Sequence, residues 1–459
     1  MDHIKMNRTL SRFLAAGLIA TALPMAHAKG TPEEIAALGG KLTCVGAERA
    51  GNADGSVAAW TGKWSDSYPG YNGPGKYSPG PYADEKPLFT ITAQNAAQYE
   101  AKLTAGQKEL LKRYPQSFRM PVYPSHRDFA YSAKVCEALR KNAASGEVVN
   151  DGMGVQAVSG APAIPFPKSG IEAHWSMVTP HRAWTELVVS DSAVVYPNGN
   201  KSWGRVDYKI LSLSNDPKQT RSSQDQIDSY FKVRTLLPER QNGELFIGWN
   251  PNDYHNDDRQ TYFYSPGTRR VRQAPEFGFD TPQGAGGFRT VDDDRLFNGS
   301  PERYDWKLVG KKEIYVPYNA FRQNDTSVSY DTLLTPNTLN PDYQRYELHR
   351  VWVLEATVKS GYRHAYARRT FYIDEDSWHA LWVDNYDGRG NLWRASMVNY
   401  FWAPEIGGFQ AGVAVYHDLT AGAYFADRLV NQSKQWWLLN QGGLTPEMFS
   451  ESAAKRSGH

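Results

Sequence analysis

The chain has 459 residues, of which 22% are charged and 13% aromatic, and its 51 Lys and Arg face 49 Asp and Glu. That length allows one large domain or two ordinary ones. The 14 Trp and 27 Tyr exclude a disordered or coiled-coil chain and suit a β-rich protein with a large aromatic surface or cavity. A net charge of +2 gives no general attraction for nucleic acid or anionic lipid surfaces.

In chain order, Lys5, Arg8 and Arg12 precede an apolar run from Phe13 to Leu23, and Ala26-His27-Ala28 supplies a small-x-small pattern. These are the three zones of a cleavable secretory signal over residues 1–28. The run is too short to cross about 30 Å of hydrocarbon as an anchor. Cleavage removes Asp2 with the three cations, leaving basic and acidic residues equal in number. No cysteine follows the cut, so the expected product is periplasmic, soluble and not lipidated, without a membrane-spanning segment.

Residues 29–170 read as an extended and helical arm rich in Pro and Gly. Thr31-Pro32-Glu33-Glu34 opens a short helix that Gly39-Gly40 ends. Turn formers crowd residues 52–87. Helix is expected from Thr92 to Tyr114, broken at Thr104-Ala105-Gly106, and again from Ser132 to Ala144. Cys44 and Cys136 are the chain's two cysteines. In an oxidising compartment they form a candidate disulfide, the alternative being two separate buried thiols.

From Ile171 the period switches to two, and residues 171–430 read as an antiparallel sheet domain. Residues 303–318 place Tyr304, Trp306, Leu308, Ile314, Val316 and Tyr318 on one parity. Residues 346–358 place Leu348, Trp352, Leu354 and Ala356 on one face, with Glu347, His349 and Glu355 on the other. Such strands predict one apolar and one watered face. Further strands are expected at 183–196, 203–213, 227–237, 243–249, 260–264, 268–273, 368–374, 378–385, 391–402 and 411–416. Asp387-Gly388 marks a hairpin. Short strands without intervening helices make an antiparallel meander. Residues 431–459 form a tail with a short helix from Thr445 to Lys455.

No catalytic constellation emerges. The histidines show no HExxH or HxH spacing, and His174 and His181 read as polar surface residues in or beside strands. Asn252–Asp258 (NDYHNDD) lacks the Gly and Glu of a calcium loop, and Asp292-Asp293-Asp294-Arg295 reads likewise as a solvated loop. Neither a GxSxG elbow nor a Walker loop occurs. No cofactor or metal is expected. The positive signal is collective: a sheet face lined by Trp, Leu and Tyr can enclose an acyl chain or polycyclic ligand. Trp306, Leu308, Ile314, Leu348, Trp352, Leu354, Trp382 and Trp393 are the candidate lining residues, with plain core packing as the alternative for each.

KLTCVGAERAGNADGSVAAWTG, DEKPLFTITAQNAAQYEAKLTAGQKELLKRYP, and YSPGTRRVRQAP followed by FNGSPERYDWKLVGKKEIYVPYN resemble the DUF1329 family of Gram-negative exported proteins, over essentially the whole mature chain. That family is described as similar in fold to the LolA/LolB lipoprotein carriers, and Arg368–Tyr400 is the stretch most like them. The resemblance implies an α+β, predominantly antiparallel fold: an open, incomplete barrel wrapped around helices. It implies a hydrophobic small molecule or lipid as ligand and an RND/MMPL-type envelope transporter as partner, with peripheral contact at the outer membrane. The chain is far longer than LolA and carries more Trp, so the cargo need not be a lipoprotein acyl chain. An envelope hydrolase of lipid or glycan and an outer-membrane-associated β-barrel are the competing readings.

Overall fold

The structure is a computed structural model describing residues 29–222, 227–275 and 277–457; the signal expected over 1–28 lies outside them. The arm begins with the Pro32–Ala37 helix, whose Thr31 hydroxyl accepts from Glu34 N–H while the Glu34 carboxylate accepts from Thr31 N–H. The next helical segment breaks where expected, into a 3-10 stretch Ala96–Lys102 and an α-helix Ala105–Arg113 capped by Thr104. Cys136 lies on the Ala133–Ser145 helix and is bonded to Cys44, Sγ to Sγ at 2.08 Å. Arg127 fastens the arm further. It donates to both oxygens of Asp376 at 2.6 and 2.8 Å and to the Glu48 and Ala58 carbonyls.

Sixteen strands join one sheet. Phe89–Ile91 (β1) and Met120–Val122 (β2) come from the arm. A first meander holds Thr185–Val195 (β3), Lys201–Ser212 (β4), Ile227–Leu237 (β5), Leu245–Pro251 (β6), Gln260–Ser265 (β7) and Arg270–Gln273 (β8). A second holds Tyr304–Pro317 (β9), Tyr346–Val358 (β10), Arg368–Asp374 (β11), Ala380–Tyr386 (β12), Leu392–Ala403 (β13), Gly408–Asp418 (β14) and Ala423–Leu429 (β15). Leu438–Leu439 (β16) adds to β3. The meanders meet where β15 runs antiparallel to β3, Tyr424 opposite Val195. Among the described residues no pairing joins β8 to β9, so the sheet is open. Among the described strands of this sheet, the one parallel pairing is Tyr346 with Val122. The fold is α+β and predominantly antiparallel.

The structure corrects several expectations. Residues 170–178 are helical rather than the start of the sheet. Glu172 caps this helix by accepting from the Lys168 and Ser169 N–H groups at 2.6 and 3.0 Å. Ala173, His174, Trp175, Ser176 and Met177 are all buried, and a helix enclosed on every side has no amphipathic period to read. The first half of β10 has no watered face, Glu347 and His349 being 0% and 1% exposed, and only towards its end does Thr357 reach solvent. Arm residues supply their cover, since Glu347 accepts from the His126 N–H at 2.8 Å. In β9 the pairing slips between Leu308 and Gly310, and a one-residue slip exchanges the two faces. Ile314 therefore lies opposite His349, on the other face from Trp306 and Leu308.

The first meander is covered on one side by the C-terminal segment, where Phe449 and Ala454 pack with Leu211, Leu245, Ile247 and Tyr264. In the second meander, Asp384 lies at the start of the Ala105–Arg113 helix. It accepts from Gly106 N–H at 3.0 Å and from Trp382 Nε1–H at 2.8 Å. A Cβ on Gly106 would sit 2.4 Å from this carboxylate, so only glycine allows the approach. Burial pushes the Asp384 pKa up to about 6, although the Trp382 and Gly106 bonds oppose it. A raised carboxylate costs stability as pH climbs from the unfolded value of 3.8 through 6. We expect Asp384→Asn, which keeps both acceptor bonds, to gain on the order of 2 kcal/mol relative to wild type between pH 4 and pH 8. Urea midpoints at the two pH values check this; an equal difference at both contradicts it.

Candidate ligand-binding cavity

Residues directly opposed on antiparallel strands share a face. One row across β3–β6 is Val188, Tyr208, Val233 and Phe246. Ser190, Val206 and Thr235 form the next row, and Ile210 and Phe231 another. All of them line a single cavity of about 880 Å³. Trp175 and Val178 of the Gly170–Val178 helix and Phe425 of β15 extend its apolar wall. The segment between β8 and β9 also contributes. Gly284 there has φ +71° and leaves only 2.9 Å between an added Cβ and the Phe425 ring.

A second part of the lining is charged. The β15–β3 pairing slips between Ala426 and Leu429, and Arg428 sits at φ +61° within the strand. This irregularity lets the consecutive Asp427 and Arg428 both reach the cavity, as bulges re-aim side chains elsewhere. Arg295 has φ +51° and also lines it. Glu186 anchors the pair: it is 1% exposed and accepts from Arg295 and Arg428, both at 2.8 Å, and from Gln410 at 3.0 Å. Burial opposes ionisation of Glu186, but Arg428 and Arg295 more than offset it and its pKa is lowered. Arg289 reaches Asp294 at 3.3 Å and Asp427 at 3.6 Å. Arg182 has no carboxylate within ion-pair distance among the described residues, and its Nε is buried without a hydrogen-bond partner. Burial first, and Arg295 second, lower its pKa to about 10.

The eight lining residues expected from sequence all lie in the second meander, and none borders this cavity. Trp306 packs on His174 at 4.1 Å between ring centroids and on Phe371 at 6.0 Å. Leu308, Leu348, Trp352 and Leu354 share its face by register, and Trp352 stacks on Trp378 at 5.8 Å. Trp382 opposes Tyr372, which opposes Val353, and so falls on the other face with Ile314. Trp393 donates to Asp418 at 3.0 Å. The sheet wall of the cavity is instead built mainly from Val, Ile, Phe, Tyr and Ser of β3–β6, with Trp203 of β4 and Trp175 as its tryptophans. The alternation Val206-Tyr208-Ile210 was its legible sign.

The histidine and aspartate expectations need correction. His174 is helical and 0% exposed, with both ring nitrogens unbonded, and burial lowers its pKa to about 3. His181 lies in a loop, its ring nitrogens 2.9 and 3.1 Å from the Gly160 and Ile406 carbonyls. Asp292 and Asp293 form a buried network, not a solvated loop. Arg369 donates to them at 3.2 and 2.7 Å, and Tyr366 donates to Asp293 at 2.8 Å. Compensation by Arg369, nearly eighty residues away in sequence, is what permits their burial. Of the NDYHNDD stretch, Asn252 and Tyr254 line the cavity and His255 and Asn256 are exposed. His349, Asp374 and Asp376 place ligand atoms within 4.8 Å of one another. Protein groups already engage them: Glu347 holds the His349 ring at 3.0 Å, Ser377 and Tyr318 donate to Asp374, and Arg127 grips Asp376. Burial and then the Asp376 charge push Asp374 up to about 7.

An open antiparallel sheet thus walls one roomy chamber lined by both apolar and charged side chains. The chain belongs to the DUF1329 family, a family of unknown function, whose model matches residues 90–455. It is 37% identical over 448 residues to the uncharacterized protein PA3922 of Pseudomonas aeruginosa, covering 97% of each chain. Among solved structures it is similar to a DUF1329 family protein from Desulfovibrio piger, at 16% identity and TM-score 0.39 over 59% of this chain and 92% of that one. It is also similar to the LolA superfamily protein NE2245 from Nitrosomonas europaea, at 12% identity and TM-score 0.35 over 59% and 90%. No helix among the described residues is long and apolar enough to cross a membrane. The functional reading rests on the chain's own cavity.

Proposed function

We propose that this protein is a periplasmic carrier that holds a lipid or other hydrophobic molecule in the β3–β6 cavity and exchanges it with an RND/MMPL-type envelope transporter. The supporting observation is the 880 Å³ chamber with in-register apolar rows on its sheet wall. Its volume lies in the roughly 300–1,000 Å³ range of small-molecule sites. Apolar ligand surface moved there from water stabilises the complex by about 25 cal/mol per Å² before association costs. The open sheet, and the irregular 282–299 segment beside the cavity, supply a route for exchange without unfolding the core.

Filling the chamber tests this. Val233→Trp adds bulk between Tyr208 and Phe246 and is expected to weaken binding of hexadecan-1-ol by about tenfold or more. Displacement of N-phenyl-1-naphthylamine fluorescence reads the affinity, and far-UV circular dichroism confirms the fold. Undiminished binding by this variant would place the ligand elsewhere. Absence of co-purifying lipid in organic extracts of the native protein, together with absence of hexadecan-1-ol binding, would sink the carrier reading. Fractionation of the native host and crosslinking in the envelope address location and partner.

A further inference from the structure

Four guanidinium groups, those of Arg182, Arg289, Arg295 and Arg428, meet three carboxylates, those of Glu186, Asp294 and Asp427, in and directly behind the cavity wall. The remaining ionised residues of the lining, Arg240 and Arg259 against Asp228 and Glu244, are equal in number. One positive charge is therefore left without a partner. Arg182 is where it falls. Asp228 and Asp294, the carboxylates whose charge acts on it, lie beyond ion-pair distance, and Arg295 repels it. The Nε of Arg182 and the Nε of Arg289 are both buried without an acceptor. Buried donors in that state are rare in native proteins.

Resting on the reading that the cavity holds an apolar chain, we propose that it selects amphiphiles with one anionic head, a carboxylate or a phosphate, received by Arg182 and Arg289. A wholly neutral ligand filling this space strips water from a guanidinium that no carboxylate compensates, which is unfavourable. An anionic head supplies the missing charge. A guanidinium presents paired donors that match the oxygens of either head. The apolar rows through Val206, Phe231 and Val233 then take the chain. Arg295 and Arg428 are already committed to Glu186 and hold the positive end of the chamber in place. The bond to Gln410 completes that support.

The test uses four ligands of one chain length: hexadecanoate, hexadecyl phosphate, hexadecan-1-ol and hexadecyltrimethylammonium. Affinities for the full mature protein are measured below their micellar concentrations by probe displacement. The two anions are expected to bind at least about tenfold more tightly than the alcohol, and the cation most weakly. Whichever anion is preferred distinguishes a fatty-acid-like cargo from a phospholipid-like one. Arg182→Gln is expected to lower the ratio of anion to alcohol affinity about fivefold or more, and Arg182→Lys to restore much of it. Arg182 has no ion-pair partner, so its removal strands no carboxylate. A merely structural role would shift all four affinities together and leave the ratio unmoved. Equal affinity of wild type for alcohol and anions overturns the proposal while the carrier reading stands. Failure of all four ligands to bind overturns both.

Discussion

Glu186→Ala is expected to cost about 3–5 kcal/mol of unfolding free energy, because it leaves Arg295 and Arg428 buried without their shared acceptor. The carboxylate is 1% exposed and takes three bonds, so no solvent can replace what it supplies. The two guanidinium groups it holds apart from Arg182 would repel each other and the rest of the charged wall. Glu186→Gln retains one acceptor and should lie between. Removing the charge on the other side, in Glu186→Ala with Arg428→Met, should recover part of the loss. The folded pKa of Glu186 is depressed, so its contribution is present above the unfolded value of 4.5 and fades as pH falls below it. The gap between wild type and Glu186→Ala should therefore be largest near neutrality and shrink at pH 3. Urea titrations at both pH values measure it. A loss under about 1 kcal/mol at pH 7 would show that the arginines find other acceptors.

Reducing the Cys44–Cys136 bridge should have an effect of similar size. The bonded cysteines are 92 residues apart, and closing a loop of that length is worth about 4–5 kcal/mol in the chain-entropy account. Denaturant midpoints with and without dithiothreitol, or of Cys44→Ser with Cys136→Ser, give the value. The competing contribution is visible in the structure: Arg127 ties the same arm to Asp376 and to two carbonyls of residues 48–58. If the loss is below about 1 kcal/mol, that network and the packing of Val45 and Val57 on the core hold the arm by themselves.

Local patterns carried most of the secondary structure. Alternation located β5, β10 and β11 to the residue, and Thr104 marked the break in the arm's second helical segment. These signals survive because caps and two-residue periods are written within a few neighbouring residues. Two of the elements that escaped did so for clear physical reasons. The Gly170–Val178 helix is enclosed all round, so its apolar residues follow no stripe. β15 is interrupted by Asp427-Arg428, whose charges look like a loop but are accommodated by an irregular register beside the cavity.

The site was less legible than the fold. Sequence drew attention to tryptophans, which are the bulkiest apolar groups, and the ones it singled out pack within the second meander. A chamber needs the opposite: moderate side chains such as Val188, Val206 and Val233 that cover backbone without meeting across the gap. Whether a row of valines faces protein or space is set by what lies above the sheet. Distance in sequence hid the charged wall as well, since Glu186 meets Arg295 and Arg428 more than a hundred residues on.

The sequence by itself determined the strand-rich class, the helix boundaries in the arm, the bridge as one of two options, and the family. Those are consequences of local periodicity, capping and cysteine count. Only the tertiary structure decided that the sheet stays open, that Val309 and Gly310 divide β9 between two faces, and that the first meander rather than the second encloses the chamber. It also decided that Asp292 and Asp293 are structural while Arg182 is left uncompensated. Charge compensation and cavity volume are sums over groups brought together by folding, and no stretch of neighbouring residues contains them.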